Sequence, residues 1–448
     1  MAGGNWSAQN KVRPGVYINF TSKKELGLTI GARGTVAICE PMSWGPVGEV
    51  MTVEAGVDTT PFCGYDIYMP QARFLNEIFK GTNRTDPPTK VLLYRPAADS
   101  SAEATATTGQ LTVTALYPGV RGNDITIVVV EDADNEDTFT VQTVVDGLIV
   151  DTQTGKNISD LQPNKWVKFS GTGALTATAG TKLEGGADGT VQTAAYAAFL
   201  TNIEPYNFDI LIYDGTEPTT IAAMLNFVER MASNDGKYSQ LVAANLSTPD
   251  TRFAINVNTG VTLNDGTVLT PQQTCWWVGG AQAGAKYNES LTYANYPDAV
   301  DVSPKLTNSE IVSALTDGKF LLIEDDGDVK VEWDINSLTT YTDDISEVYH
   351  KNRVIRLCNT IANDLYRQFS DNFIGVVNNN EEGRSLFKSV IVGYLLDMKS
   401  NQAIQGSNAE IIEGVQVLPG DDIDSIVINI AIKAVDATEK IYMTITVS

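Results

Sequence analysis

The sequence is poor in the side chains that carry most nucleophilic and metal chemistry. Its 448 residues include one histidine and four cysteines. A Ser/His/Asp or Cys/His nucleophilic site would have to use His350. That residue lies in Tyr349-His350-Lys351-Asn352-Arg353, a polar, cationic stretch at an expected helix start, and reads as a surface histidine. Cys39, Cys63, Cys275 and Cys358 stand singly, with no CxxC pair and no His/Cys spacing for zinc. They read as reduced, mostly buried thiols of a cytosolic protein. A GxxxxGK[ST] phosphate loop is missing, and Gly31-Ala32-Arg33-Gly34 is not a GxGxxG fingerprint. No apolar run approaches the ~20 residues that span a bilayer, and residues 1–19 lack the apolar centre of a signal peptide. Positive charge is scarce too: 31 Lys/Arg stand against 55 Asp/Glu, a net of −24. That balance argues against nucleic acid or an anionic membrane as partner. The absences together point away from an enzyme and from any cofactor or bound metal.

What is present is a chain that starts and ends in short alternating strands. Near the start, Val16, Ile18 and Phe20 share a face, with Tyr17 and Asn19 opposite. At the end, Ile441, Met443, Ile445 and Val447 alternate with Tyr442, Thr444 and Thr446. An apolar strand at a terminus is an aggregation hazard unless its edge is paired. A hairpin within the chain or pairing with another chain would both satisfy it. The short connection after Ile432 leaves both open.

Between the ends the periodicity changes three times. Residues 34–40 and 91–94 read as buried strands, and 71–80 as a short helix with Phe74, Leu75, Ile78 and Phe79 inward and Gly81 as its stop. From 97 the composition shifts to Ala, Thr, Ser and Gly, with strands at 111–116, 124–130, 138–145, 147–151 and 166–169. This reads as an all-β sandwich or barrel inserted over 97–189. Strands at 208–213, 238–245 and 254–258 then alternate with a helix at 219–232, the mark of an α/β layer. Thr270-Pro271-Gln272-Gln273 starts a helix running to about 285, and Thr307 with Glu310 starts another that stops at Gly318. Segments 320–323 and 329–334 flank Asp325-Asp326-Gly327-Asp328 as a hairpin. Two amphipathic helices follow: Val354, Cys358, Ile361, Leu365 and Phe369 line one, and Leu386, Val390, Tyr394 and Met398 the other. Ile426, Ile428, Ile430 and Ile432 then alternate along a strand.

Candidate chemistry is thin. Residues 131–137 form the densest acidic cluster, but they lack EF-hand spacing and read as a solvated hairpin tip. Trp276-Trp277 reads as core or interface packing rather than a ligand platform. Residues 349–401 hold seven Lys/Arg against five Asp/Glu, a net of +2, so the remainder carries −26. This cationic stretch is either a contact for an acidic partner or a solvated helix face.

The order of short motifs carries more than any of them singly. Arg13-Pro14-Gly15-Val16-Tyr17 resembles the opening of contractile-tail sheath proteins. Tyr117-Pro118-Gly119 through Gly122-Asn123-Asp124-Ile125 is similar to the "PG…GNDI" stretch of their β-insert. Gly279-Gly280-Ala281-Gln282-Ala283-Gly284, followed by Ser290-Leu291-Thr292-Tyr293, resembles their "AG…AG…S-x-T" segment. Trp333-Asp334-Ile335-Asn336-Ser337-Leu338-Thr339 is similar to their "R-x-INTLT" strand, departing from it at Trp333 and Ser337. Phe373-Ile374-Gly375 with Asn378-Asn379 resembles a late segment in which the family more often has a tyrosine before Ile-Gly.

The resemblance implies a multidomain α+β protein. Its parts are an N-terminal arm (1–26), an α/β, subtilisin-like core (27–96 and 190–340) interrupted by the β-insert (97–189), a C-terminal α+β polymerisation domain (341–433) and a C-terminal arm strand (434–448). It implies stacked six-subunit rings forming a helical sleeve around a tail tube protein, bounded by baseplate and tail terminator proteins. The sleeve would belong to a phage tail or phage-tail-like bacteriocin assembled in a bacterial cytoplasm, and would shorten irreversibly to drive the tube through an envelope. The arms would add strands to neighbouring subunits, with residues 21–27 and 434–439 as flexible connections. Lys351, Arg353, Arg356, Arg367, Arg384, Lys388 and Lys399 become the candidates to face the tube. A tube, baseplate or surface-layer subunit is the rival structural reading, and a hydrolase on an α/β scaffold the enzymatic one.

The energetics permit strand exchange. Burying Ile441, Met443, Ile445 and Val447 contributes roughly 6–10 kcal/mol. Four to six new backbone bonds add ~0.5–1.5 kcal/mol each. Ordering about eight residues costs ~1–2 kcal/mol each, so the net per arm is a few kcal/mol at most. Single subunits then stay soluble, while many arms summed along a sleeve hold it together.

Overall fold

In the computed structural model the described residues are 2–4, 12, 15–17, 28–133, 135, 137–247 and 249–447. The chain divides into two compact units, residues 31–363 with 434–448 and residues 1–30 with 364–433.

The larger unit is built on a seven-stranded sheet. Across it the order is Lys319–Phe320, Ala254–Val257, Gln240–Ala244, Ile210–Tyr213, Thr35–Cys39, Lys90–Tyr94 and Val50–Glu54. All neighbours are parallel except the last pair. The central strands are nearly unbroken apolar runs, as a sheet covered on both faces requires. Val36, Ile38, Val91, Leu93, Ile210 and Ile212 enter one core with Ile78 and Trp277. Ala37, Leu92, Tyr94, Leu211 and Leu241 enter the other with Phe199, Met224 and Phe227. Helices Arg73–Ile78 and Pro271–Gly284 supply the first cover, Thr193–Ile203 and Pro218–Asn234 the second. The sequence reading lacks the helix Thr193–Ile203, because only Phe199 and Ile203 of its residues are fully buried and no clear stripe results.

The Pro271–Gly284 helix shows why its small residues recur. Thr270 and Gln273 form the expected capping box, with proline at the first turn. A Cβ on Gly280 would stand 2.0 Å from the Ile78 carbonyl oxygen, and one on Gly284 2.2 Å from that of Asp86. Glycine lets the helix sit directly on neighbouring backbone. Trp277 stacks on Tyr296 at 4.1 Å between centroids, and its Nε1 donates to the Gly81 carbonyl at 2.9 Å. The tryptophan pair is core.

The insert is a β-sandwich. Leu148–Gly155, Phe139–Val145, Ile125–Glu131 and Thr178–Lys182 form one sheet, and Val167–Ser170, Leu111–Ala115 and Thr105–Thr108 the other. Val113, Ile125, Ile127, Val141 and Trp166 pack between them. Thr105–Thr108 and Thr178–Lys182 escape the sequence reading because alanine, threonine and glycine give no apolar alternation. Ala98–Asp99 pairs antiparallel with Thr190–Val191 and closes the neck. Buried Arg121 ties sandwich to core: it donates to the Gly64 carbonyl at 2.9 Å, pairs with Asp146 at 2.6 Å and lies 4.2 Å from the Tyr65 ring. Asp132 and Asp137, the described acidic residues after Glu131, lie at the tip of the Ile125–Glu131/Phe139–Val145 hairpin. The other acidic cluster is a turn: Asp326 and Gly327 take φ of +57° and +84° between Leu322–Asp325 and Asp328–Val331.

In the smaller unit, Phe369, Phe373 and Phe387 form an aromatic cluster with centroids 5.0–5.4 Å apart. The helix Glu381–Ser400 buries Val390, Tyr394 and Met398 as its spacing predicts, while Leu386 is half-buried. The Tyr394 hydroxyl donates to Asp364 at 2.8 Å. Gln368 exchanges two hydrogen bonds with the Thr29 backbone, at 2.7 and 2.6 Å. Val415–Pro419 and Ile426–Ile430 form an antiparallel pair.

Candidate assembly interface

Three of the segments singled out in the sequence meet around one buried carboxylate. Asp334 Oδ1 accepts from Gln282 at 2.7 Å and Asn352 at 3.0 Å. Its Oδ2 accepts from the Leu291 amide at 3.0 Å and from Arg356 Nη2 at 2.7 Å. Arg356 also donates to the Glu289 carbonyl at 2.6 Å and to Gln282. Burial opposes the Asp334 charge, but Arg356 and these donors outweigh it and hold its pKa below the ordinary carboxylate value. The network fixes the glycine-rich helix, the 289–292 loop and the strand-like segment at 334 to one another.

On that scaffold sits a second carboxylate, Glu439, with 9% of its side chain exposed. Oε1 accepts from Thr292 at 2.7 Å and Ser290 at 3.3 Å. Oε2 accepts from Trp333 Nε1 at 2.7 Å and from Lys351 Nζ. Burial would raise the Glu439 pKa, but bonds from Lys351, Thr292 and Trp333 carry it below the usual range. Lys351 also pairs with Asp436 at 3.6 Å. The Trp333 ring lies under both Lys351, at 4.4 Å, and Lys440, at 5.1 Å. Glu439 and Lys440 form one wall of a groove of about 510 Å3, with Trp333, Tyr341, His350 and Leu315 among its other lining residues.

Beyond this anchor the chain turns outward. Ile441, Met443, Ile445 and Val447 are 76, 77, 78 and 90% exposed, and Tyr442 is 92% exposed. Thr444 and Thr446 are exposed as well, and residues 441–447 belong to no strand. The sequence allowed a hairpin with the isoleucine strand; the structure forms none, and Ile426–Ile430 pairs with Val415–Pro419 instead. The connection expected to be loose over 434–439 is held at its last residue. At the other end, Val16 and Tyr17 lie in Gly15–Tyr17, which pairs parallel with Ala2–Gly4. A strand that early is new, since residues 1–15 read as loose. Ile18, Asn19 and Phe20 lie outside the described residues.

The seven candidate cations differ in burial. Arg356 has 1% of its side chain exposed and is spent on Asp334. Arg353 is buried, and Lys351 is engaged by Glu439. Arg356 and Arg353 are thus buried within their own chain, and Lys351 is engaged there. In the smaller unit Arg367 is exposed beside Asp364, and Arg384, Lys388 and Lys399 are half-buried. Helical spacing does not separate these groups, because the partners of Arg356 and Lys351 lie 22 to 88 positions away in sequence.

His350 is also corrected: it is 5% exposed, not on the surface. Its Nδ1 donates to the Leu338 carbonyl at 2.6 Å, and its ring packs edge-on against Trp333. Burial lowers its pKa, so the ring is neutral at pH 7. His350 thus holds the Leu338 carbonyl and the Trp333 ring together in the groove wall. Glu439 itself went unnoticed in the sequence, because a carboxylate in a polar connection looks like any solvated one. Its only signal is its place immediately before Lys440 and the alternating strand.

Comparison with known proteins agrees with this organisation. The phage tail sheath protein central domain matches residues 189–337, the sheath beta-sandwich domain 98–188 and the sheath C-terminal domain 344–448. The N-terminal region of domain III of tail sheath protein Gp18 matches 33–85. The chain is 42% identical to the sheath tail protein of Desulfitobacterium hafniense, over 96% of this chain and 99% of that one, with a TM-score of 0.86. It is 32% identical to the phage-like element PBSX protein XkdK of Bacillus subtilis over the full length of both. The helical sheath of the anti-feeding prophage in its contracted state shares the fold, at 15% identity over 98 and 99% of the two chains with a TM-score of 0.58. The chain belongs to the phage tail sheath protein family.

Proposed function

We propose that the protein is a non-enzymatic structural subunit of a contractile tail sheath, polymerising by exchange of its terminal arms. The observation that carries this reading is the C-terminal arm. Four alternating apolar side chains are exposed in a segment that has no strand partner among the described residues. Such an edge is what β-augmentation uses. The pair Val415–Pro419/Ile426–Ile430 is a two-stranded sheet with open edges among the described residues, and it is the acceptor this reading assigns. The N-terminal arm, around Val16 and Tyr17, adds a second strand.

In this reading the subunits form stacked hexameric rings around a tail tube protein, ending at baseplate and terminator proteins. They work in the tail of a phage or phage-tail-like particle built in the bacterial cytoplasm, without binding nucleic acid or entering a membrane. The parallel sheet with helices on both faces supports a subtilisin-like core that serves as scaffold. Because the sequence carries no phosphate-binding fingerprint, contraction runs downhill from a metastable extended state. Deleting residues 440–448 tests the reading. The expected product is a soluble, folded monomer that no longer forms ribbed hollow cylinders in electron micrographs. A deletion protein that still polymerises, or that is insoluble, would sink it.

A further inference from the structure

We propose that Glu439 is the positioning residue of the C-terminal arm, pinning its root so that the pairing segment pivots at Lys440 and nowhere earlier. The inference rests on the arm exchange proposed above and specifies how that arm is aimed. Three observations carry it. Glu439 is held by side chains from two separate segments, Thr292 and Trp333, and by Lys351 at the start of a long helix. Those segments are themselves locked by the buried Asp334–Arg356 pair, so the anchor is tied to the rigid core. One residue later, Lys440 rests over Trp333, and from Ile441 onward every side chain to Val447 is exposed. Order and exposure change within two residues.

A pinned root matters because strand exchange is only as regular as the direction in which the strand leaves. An arm free from residue 434 would have fifteen residues of slack; one free from 440 has nine, at roughly 3.3 Å each when extended. The shorter reach admits fewer acceptor positions, so neighbouring subunits are placed alike. Trp333, where this chain departs from the family's usual basic residue, is what receives Oε2 and carries both lysines.

The test uses the full-length chain. Lys440 is the last Lys or Arg and is exposed, but trypsin must also draw in Glu439 beside it, so release of residues 441–448 reports how readily Glu439 leaves its site. Glu439→Gln and, from the opposite side, Lys351→Met should each speed that cleavage about tenfold, equivalent to ~1.4 kcal/mol of local opening. The melting temperature should stay within a degree or two of wild type. Both variants keep the arm and should still polymerise, but into sleeves of irregular pitch. Wild-type cleavage rates in both variants, or uniform sleeves of wild-type pitch, would overturn the proposal. If instead the 440–448 deletion polymerises, arm exchange itself falls, whatever the cleavage rates show.

Discussion

Val36, Ile38, Ile210 and Ile212 in the central sheet and Ile441, Met443, Ile445 and Val447 in the arm are the same kind of residue in the same alternation, with opposite fates. The first four are at most 1% exposed, while the arm residues are at least 76% exposed. Intrinsic preference does not separate them, since both sets favour a pleated, half-buried surface. The sheet strands have neighbours on both edges and helices over both faces. The arm leaves its core through a single anchored carboxylate and finds neither. A strand is internal only if the rest of the chain supplies both edges and a cover.

That contrast can be broken from either side. The largest expected effect is complete loss of polymerisation on removing 440–448, with the melting temperature unchanged, because the arm contributes nothing to its own core. Arg356→Ala is the mirror case: it strands Asp334 buried without its partner and should cost ~3–5 kcal/mol in urea unfolding. Gly280→Ala should follow at ~1–3 kcal/mol or more, since its methyl group must push the helix off the Ile78 carbonyl. Either core variant that unfolds like wild type would mean the helix and its network are softer than their packing implies.

The smallest effect is one of pH. Burial lowers the His350 pKa, so between its folded value and the ordinary value near 6.5 the unfolded chain binds the extra proton. Stability is therefore full above about pH 6.5 and declines as the pH falls below it. With a single histidine in the chain, His350→Gln should flatten the slope of urea midpoint against pH just below 6.5, and an unchanged slope would show that His350 is not its source.

Much of the architecture was legible locally. The boxes at Thr270–Gln273 and Thr307–Glu310, the Asp326-Gly327 turn, the alternating strands of the insert and the two long amphipathic helices all declare themselves within a few residues. The quiet elements, such as Thr105–Thr108 and Thr193–Ile203, did not, because alanine and threonine carry too little apolar contrast. The order of the motifs along the chain points to the family, but only the structure brings Gln282, Leu291 and Asp334 into one hydrogen-bonded node.

The sequence by itself determined that the chain ends in an apolar alternating segment, that its net charge is −24, and that a Ser/His/Asp or Cys/His site would have to use its one histidine. These follow from composition and short-range period, which need no partner to be defined. Only the tertiary structure decided that His350 and Arg356 are buried, that Glu439 is an anchor and that residues 441–447 form no strand with any described residue. Each of those depends on which residues, from 12 to 149 positions away, come within a few ångströms, and burial and pairing are properties of that arrangement alone.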